Sequence, residues 1–258
     1  MKKTITSLGI IICLGFMQNV FGQTNTYTTS GSEIIFSWGE LEYTDAFKAD
    51  FPQASVVKQP VRFTVFFHFQ QFFHLDLNNN IGFFTGIGMR NIGMISDETL
   101  PENYQGDSNN ATYFNAKIIR RTYSLGVPLA IKLGSFKDYL NIYGGGEMEW
   151  AFLMKEKWWD SHSRNGSKTK RTEWWPGNIT TFLPSVFVGV QFPGGANLKF
   201  KYYMENFLNH NYGNRGATNR AHVVSDLTKY KQSNLFYIAL TYQIKTAKII
   251  QLVDSDYE

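Results

Sequence analysis

VRFTVFFHFQQFFHLDL, residues 61–77, is the stretch that decides the fold. Val61, Phe63, Val65, Phe67, Phe69, Phe73, Leu75 and Leu77 share one side of a period-two alternation, interrupted only by Gln71. Arg62, Thr64, His68, Gln70, His74 and Asp76 share the other, beside Phe66 and Phe72. Apolar and polar residues in strict alternation mark a β-strand with two unlike faces.

The pattern recurs outward from there. Tyr123, Leu125, Val127, Leu129, Ile131 and Leu133 oppose Ser124, Gly126, Pro128, Ala130 and Lys132. Strands are expected near 32–43, 61–77, 81–95, 117–134, 139–157, 181–192, 197–208 and 233–245. Tight turn sequences (Asn78-Asn79-Asn80, Ser135-Phe136-Lys137-Asp138 and Pro193-Gly194-Gly195-Ala196) alternate with long polar stretches at 44–60, 96–116, 158–180 and 209–232. Strands joined in turn by short and long connections have the asymmetry of an outer-membrane barrel. The expected fold is all-β: an eight-stranded antiparallel up-and-down transmembrane β-barrel with short periplasmic turns and long extracellular loops.

Size decides which face points inward. An eight-stranded barrel has an interior that side chains just fill. Phe63, Phe67, Phe69, Phe73, Trp150, Phe152, Phe200 and Phe236 would overfill it. The opposite faces carry Gly82, Gly86, Gly88, Gly126, Gly145 and Gly189, which leave room for long polar chains. The expected lumen set is Arg62, Arg90, Lys132, Glu147, Glu149, Lys199, Lys201 and Glu205. Arg90 and Glu147 stand at similar heights above their short turns, with small Ser124 and Gly126 between them, so Arg90 is expected to pair with Glu147, Glu149 or both.

Composition agrees. Only 18% of residues are charged and 16% are aromatic, which excludes an intrinsically disordered chain. A mean hydropathy of -0.26 is too polar for a multi-pass helical membrane protein. The formal charge of +4 is too near neutral to argue for nucleic acid, and no extended basic patch accompanies the aromatics along the chain. Lys2-Lys3, the apolar run Leu8–Phe16 and Val20-Phe21-Gly22 form a secretory signal. The expected organisation is a signal peptide at 1–22, a barrel at 23–245 and a periplasmic C-terminal tail at 246–258. The single cysteine, Cys13, leaves with the leader, so disulfides and thiol chemistry are excluded from the mature chain.

Arg121-Thr-Tyr-Ser-Leu-Gly-Val-Pro-Leu-Ala-Ile-Lys132, then a short turn and Tyr139-Leu-Asn-Ile-Tyr-Gly-Gly-Gly146, resembles the central hairpin of the Bacteroidetes outer-membrane β-barrel family that includes PorT-like proteins. That family carries an aliphatic-Pro-Leu tripeptide before a Lys, matched by Val127-Pro128-Leu129, then a Tyr/Gly-rich strand, matched by Gly144-Gly145-Gly146. The resemblance implies an accessory role in protein secretion at the outer membrane of a Gram-negative bacterium. The family usually ends near its last strand, whereas this chain continues through Lys245–Glu258. Pro128, which has no N–H to donate, is expected to mark a local irregularity.

Candidate chemistry is sparse. His68 and His74 lie about 20 Å apart along a strand at ~3.3 Å per residue, too far to share a metal. His162, His210 and His222 fall in separate long loops, and no metal or other cofactor is expected. His162-Ser163 is an adjacent pair whose side chains face opposite ways on a strand. No catalytic residue is expected. Lys155-Glu-Lys-Trp158-Trp159 and Arg171-Thr-Glu-Trp174-Trp175 are mirrored arms. They are expected to bring both Trp pairs together, as an interfacial girdle or as a platform meeting glycan or lipopolysaccharide, with Lys168, Lys170 and Arg171 on phosphate. The leading functional expectation is a non-enzymatic structural or interaction barrel acting through its loops. Its expected partners are outer-membrane lipid, lipopolysaccharide and other envelope or secretion proteins. An outer-leaflet lipid- or glycan-modifying enzyme is the alternative. A solute channel is disfavoured because eight strands leave no continuous aqueous pore.

Overall fold

The computed structural model describes residues 25–104, 111–138, 140–213 and 216–248; the leader and residues 249–258 of the tail lie outside that range. The strands are β1 (Asn25–Tyr43), β2 (Ser55–Lys58), β3 (Arg62–Thr64), β4 (Phe69–Asp76), β5 (Ile81–Pro101), β6 (Tyr113–Ser135), β7 (Leu140–Trp159), β8 (Lys168–Trp174), β9 (Phe182–Gln191), β10 (Ala196–Tyr203) and β11 (Tyr230–Lys248). They form one sheet in the order β11-β10-β9-β7-β6-β5-β4-β1, and β11 pairs with β1 to close it. The eight staves of this ring are antiparallel. β3 continues the stave of β4 along β1, while β2 and β8 are added beside β5 and β7 at the long-loop end.

Face assignment follows the alternation. Along β6, Leu125, Val127, Leu129, Ile131 and Leu133 are 39–67% exposed, whereas Ser124, Ala130 and Lys132 on the opposite face are at most 2% exposed. Those five outward residues span eight steps, about 26 Å along the strand, which matches the apolar band of a membrane barrel. Phe69, Ile87, Met148, Val188, Phe200 and Leu240 continue the belt around the ring. So much contiguous exposed apolar surface fits lipid, and a closed ring leaves no unpaired edge within it.

The stretch 61–77 is not one continuous strand. Residues 32–34 of β1 oppose residues 65–69, so the second stave carries two extra residues where β3 gives way to β4. Phe67 sits there at φ 66°, the left-handed region that side chains other than glycine rarely adopt. The bulge turns Phe66 outward at 76% exposure, against the sequence expectation, while Phe72 stays inside at 4%. Phe67 packs edge-on against Tyr123 of β6, centroids 5.7 Å apart. Beside Pro128, the β5–β6 ladder is interrupted between the Thr85–Leu129 and Gly88–Gly126 pairs, with the register unchanged on either side. Thr85 Oγ1 donates to the Pro128 carbonyl there at 2.7 Å.

Above the belt, stretches expected as loops continue as strand. β5 runs to Pro101 and β6 begins at Tyr113. Residues 91–98 are buried on both faces, so no apolar contrast marks them as strand. Two short helices close this end. α1 (Asp45–Asp50) is capped by Thr44 and buries Phe47; α2 (Arg220–Ser225) is capped by Asn219 and buries Val223 and Val224. They join a hydrophobic core that includes Leu100, Phe114, Ile118, Trp158, Phe207 and Leu227. At the opposite end β11 extends to Lys248, opposite Tyr27, three residues beyond the expected end of the barrel.

Candidate functional site

The lumen at belt height holds three carboxylates and three cations, all buried: Glu33, Glu147 and Glu149 with Arg90, Lys199 and Lys201. Each comes from an inward position of β1, β5, β7 or β10. Arg90 Nε donates to Glu33 Oε2 at 2.7 Å, its Nη1 reaches Glu147, and the same nitrogen lies 3.4 Å from Glu149. Lys201 donates to Glu147 at 2.8 Å and also to Glu149, while Lys199 pairs with Glu33. Ser124 and Tyr203 hydroxyls complete the shell of Glu149, the latter at 2.8 Å. The set is charge-balanced, which is what a dry interior demands of ions taken from water. A Cβ added at Gly126 would collide with the Glu147 carboxylate, so the missing side chain there is the room the network occupies.

The remaining members of the expected lumen set lie elsewhere. Lys132 pairs with Asp76 at 2.5 Å and donates to Tyr27 Oη at 2.7 Å near the short turns. Arg62 is buried but has no carboxylate partner among the described residues. Its guanidinium donates to the Asn91 carbonyl at 3.0 Å and Oδ1 at 2.7 Å, beside the interrupted stave. Glu205 is not in the lumen: β10 ends at Tyr203, Met204 N–H bonds to Pro184 O, and Glu205 leaves the ladder exposed. Glu33 was missing from the expected set although it shares its face with Ile35 and Ser37; that parity was the available signal.

Below the network lies a small recess of about 10 Å³, scarcely room for one water, among Gln70, His74, Asn141, Tyr143, Asn197 and Lys199. His74 Nε2 lies 2.9 Å from Thr29 Oγ1, and its ring stacks on Tyr27 at 4.7 Å. His68 Nδ1 accepts from Asn91 N–H at 3.4 Å. No group of three metal-ligating side chains occurs among the described residues.

A second buried polar cluster, above the belt, was not foreseen. Glu98 accepts from Tyr43 Oη at 2.7 Å, Tyr230 Oη at 2.7 Å and Ser96 Oγ at 2.5 Å. Arg120 binds Glu156 at 2.9 Å, lies 3.4 Å from Glu98 and donates to the Val224 carbonyl at 3.0 Å. The cluster therefore ties α2 to β5, β6, β7 and β11. Burial alone would raise the Glu98 carboxyl; Arg120, Lys229 and the hydroxyl donors outweigh it and hold it below the ordinary range. Glu98 lay in an expected loop, which hid it. His162 and Ser163 do not form a pair: His162 Nε2 is 3.3 Å from the Glu98 carbonyl and Ser163 Oγ is 2.9 Å from Ser161 Oγ.

The two Trp arms do pair, but their register separates the Trp pairs. Trp158 faces Thr169 and Trp159 faces Lys168, whereas Trp174 faces Leu153, five residues lower on β7. Trp158 and Trp159 are buried; Trp174 and Trp175 are 62% and 65% exposed. Trp175 stacks on Trp150 at 5.0 Å and Trp174 on Phe152 at 6.2 Å, at the upper rim of the belt. One four-Trp platform does not form. Arg171 binds Glu173 at 2.8 Å and donates to Tyr212 Oη.

No family profile matches the sequence, and no curated protein does either. Among solved structures the chain is similar to Ail, the attachment invasion locus protein of Yersinia pestis, at 9% identity and a TM-score of 0.34, over 85% of this chain and 99% of that one. Neisserial surface protein A aligns at 12% identity and 0.32, over 87% and 100%. The outer membrane protein OprG of Pseudomonas aeruginosa aligns at 9% and 0.35, over 88% and 99%. The lumen network and the cluster around Glu98 rest on this chain's own geometry.

Proposed function

We propose that this chain is a non-enzymatic barrel of a Gram-negative outer membrane, exported by its leader with cleavage near Gly22. It acts as a structural or interaction component through the folded end above the lipid belt. The observation that carries this reading is the filled interior: the balanced lumen network lies directly beneath a continuous buried core capped by α2. With the interior occupied by ion pairs and packed side chains, the surfaces left for function are the outer wall and the long-loop end. The partners this reading calls for are outer-leaflet lipid and envelope proteins.

Two measurements test it. An epitope inserted at Gly166, in the exposed turn between β7 and β8, is expected to be reached by antibody on intact cells. The purified barrel in a planar bilayer is expected to give no stepwise conductance. A buried epitope or a steady open-channel current rejects the reading. The narrower role, an accessory of protein secretion, is supported by the resemblance of 121–146 to PorT-like hairpins. Deleting the gene is then expected to deplete a defined set of proteins from the secreted fraction; unchanged secreted and outer-membrane proteomes reject that role.

A further inference from the structure

The sheet that rises above the lipid belt gathers cations that the sequence scatters. β6, β7 and β8 lie side by side, and their register sets the outward residues in rows. Ile119, Lys157 and Lys170 form one row, Arg121, Lys155 and Thr172 the next below, and Tyr123, Leu153 and Trp174 the next. Lys168, opposite Trp159, stands one row higher. Successive rows are about 7 Å apart and neighbouring strands about 4.8 Å. Arg121, Lys155, Lys157, Lys168 and Lys170 thus share one outward face. The sequence shows no extended basic patch along the chain; strand register assembles this local one.

This patch is not neutralised from within. The carboxylates in the region are engaged elsewhere: Asp97 with Lys117, Glu156 with Arg120 and Glu173 with Arg171. None of the five cations has an ion-pair partner among the described residues. Lys157 is held below its ordinary value by partial burial and by Arg121, Lys168, Lys170 and Lys155, all of like charge. Two of the five flank one ring: Arg121 Cζ is 5.9 Å and Lys155 Nζ 5.3 Å from the Tyr123 centroid.

The lowest cationic row stands one row above Tyr123 and Trp174, and Leu125 of the lipid belt follows directly below. Amphipathic rings mark the headgroup level, so the cations stand where lipid phosphates lie. They also face sideways into the lipid, away from the distal tip. We propose that this face binds the phosphate groups of an outer-leaflet glycolipid, whose acyl chains run down over Trp174 and Leu125. The inference rests on the outer-membrane reading above.

The test uses the full mature chain in detergent, titrated with bisphosphorylated lipid A, monophosphorylated lipid A and phosphatidylcholine, and read by native mass spectrometry. Retention is expected to fall at each phosphate removed. The Lys155→Gln/Lys157→Gln variant is expected to bind bisphosphorylated lipid A roughly twenty-five-fold more weakly, at about fivefold per cation near an anionic surface. Lys48→Gln, remote from the patch, is expected to bind as the parent does. Unchanged heat-dependent gel migration of the double variant shows that it has folded. Inorganic phosphate at matched concentration is expected not to compete. Equal retention of phosphatidylcholine, an unaffected double variant, or full displacement by inorganic phosphate or by a soluble polyanion such as heparin would each overturn the proposal. A buried Gly166 epitope would reject the outer-membrane reading without changing this in vitro titration.

Discussion

Arg90 on β5 and Glu33 on β1 meet across the intervening β4 stave, Nε to Oε2 at 2.7 Å, with side chains 1% and 2% exposed. In the other direction the same guanidinium crosses β6 to Glu147 on β7. One cation thus links staves on both sides of its own and sits at the centre of a balanced set of six charges. Removing it as Arg90→Ala leaves three carboxylates facing two lysines in a dry interior. The expected loss is ~3–5 kcal/mol, seen as a lower unfolding temperature in detergent. Adding Glu33→Gln restores balance and should recover part of it. Losses that merely add would mean the charges act independently.

The cluster above the belt predicts an acid response. Glu98 has a folded pKa below its unfolded value, so its contribution is fully present above the unfolded carboxyl pKa of about 4.3. That contribution disappears as pH falls through the depressed folded value. The protection of amides over 220–230, relative to their intrinsic exchange rate at the same pH, is therefore expected to fall on acidification below about pH 4, while the belt strands stay protected. Glu98→Gln should give fast exchange there already at pH 7 and flatten its pH profile. Protection that does not change with pH in the parent would refute the role given to Glu98.

Trp positions separate girdle from core. Brominated lipids are expected to quench Trp174 and Trp175, which lie 62% and 65% exposed at the belt rim. Trp158 is 8% exposed and packs near Phe114, centroids 6.1 Å apart, inside the core above the belt. A variant keeping Trp158 alone should resist quenching. If it is quenched as strongly as one keeping Trp174 alone, the separation of the two pairs is wrong.

Gly189 makes room for the Tyr143 ring, whose atoms occupy the space an added Cβ would need. An aromatic ring wedged between Phe84 and Phe187 cannot swing away as a flexible chain would. Gly189→Ala is expected to destabilise by ~1–3 kcal/mol through overpacking. Combining it with Tyr143→Ala should remove most of the added penalty. Denaturant unfolding in detergent measures both.

Legibility divides at the rim of the lipid belt. Below it, β6 reads at once, because lipid on one side and a confined polar lumen on the other force residues 124–133 into two unlike faces. Arg90, Glu147 and Glu149 followed from that parity and from heights counted off the short turns. Glu33 had the right parity too, but β1 carries Ser30 and Ser32 outward, which blurs its alternation. Above the belt the contrast disappears. Residues 91–98 are covered on both faces, so Ser96, Asp97 and Glu98 read as loop although they continue β5.

Taken by itself, then, the sequence determined an inside-out barrel, the alternation of short and long connections and an interior of mixed charge, because period two and side-chain volume are local properties. The tertiary structure decided which charges meet. Register set Trp174 against Leu153 and away from Trp158. It also gathered Arg121, Lys155, Lys157 and Lys170 on one face, and a two-residue bulge turned Phe66 outward. Register and bulges are fixed by the pairing of distant segments, and no local pattern carries that information.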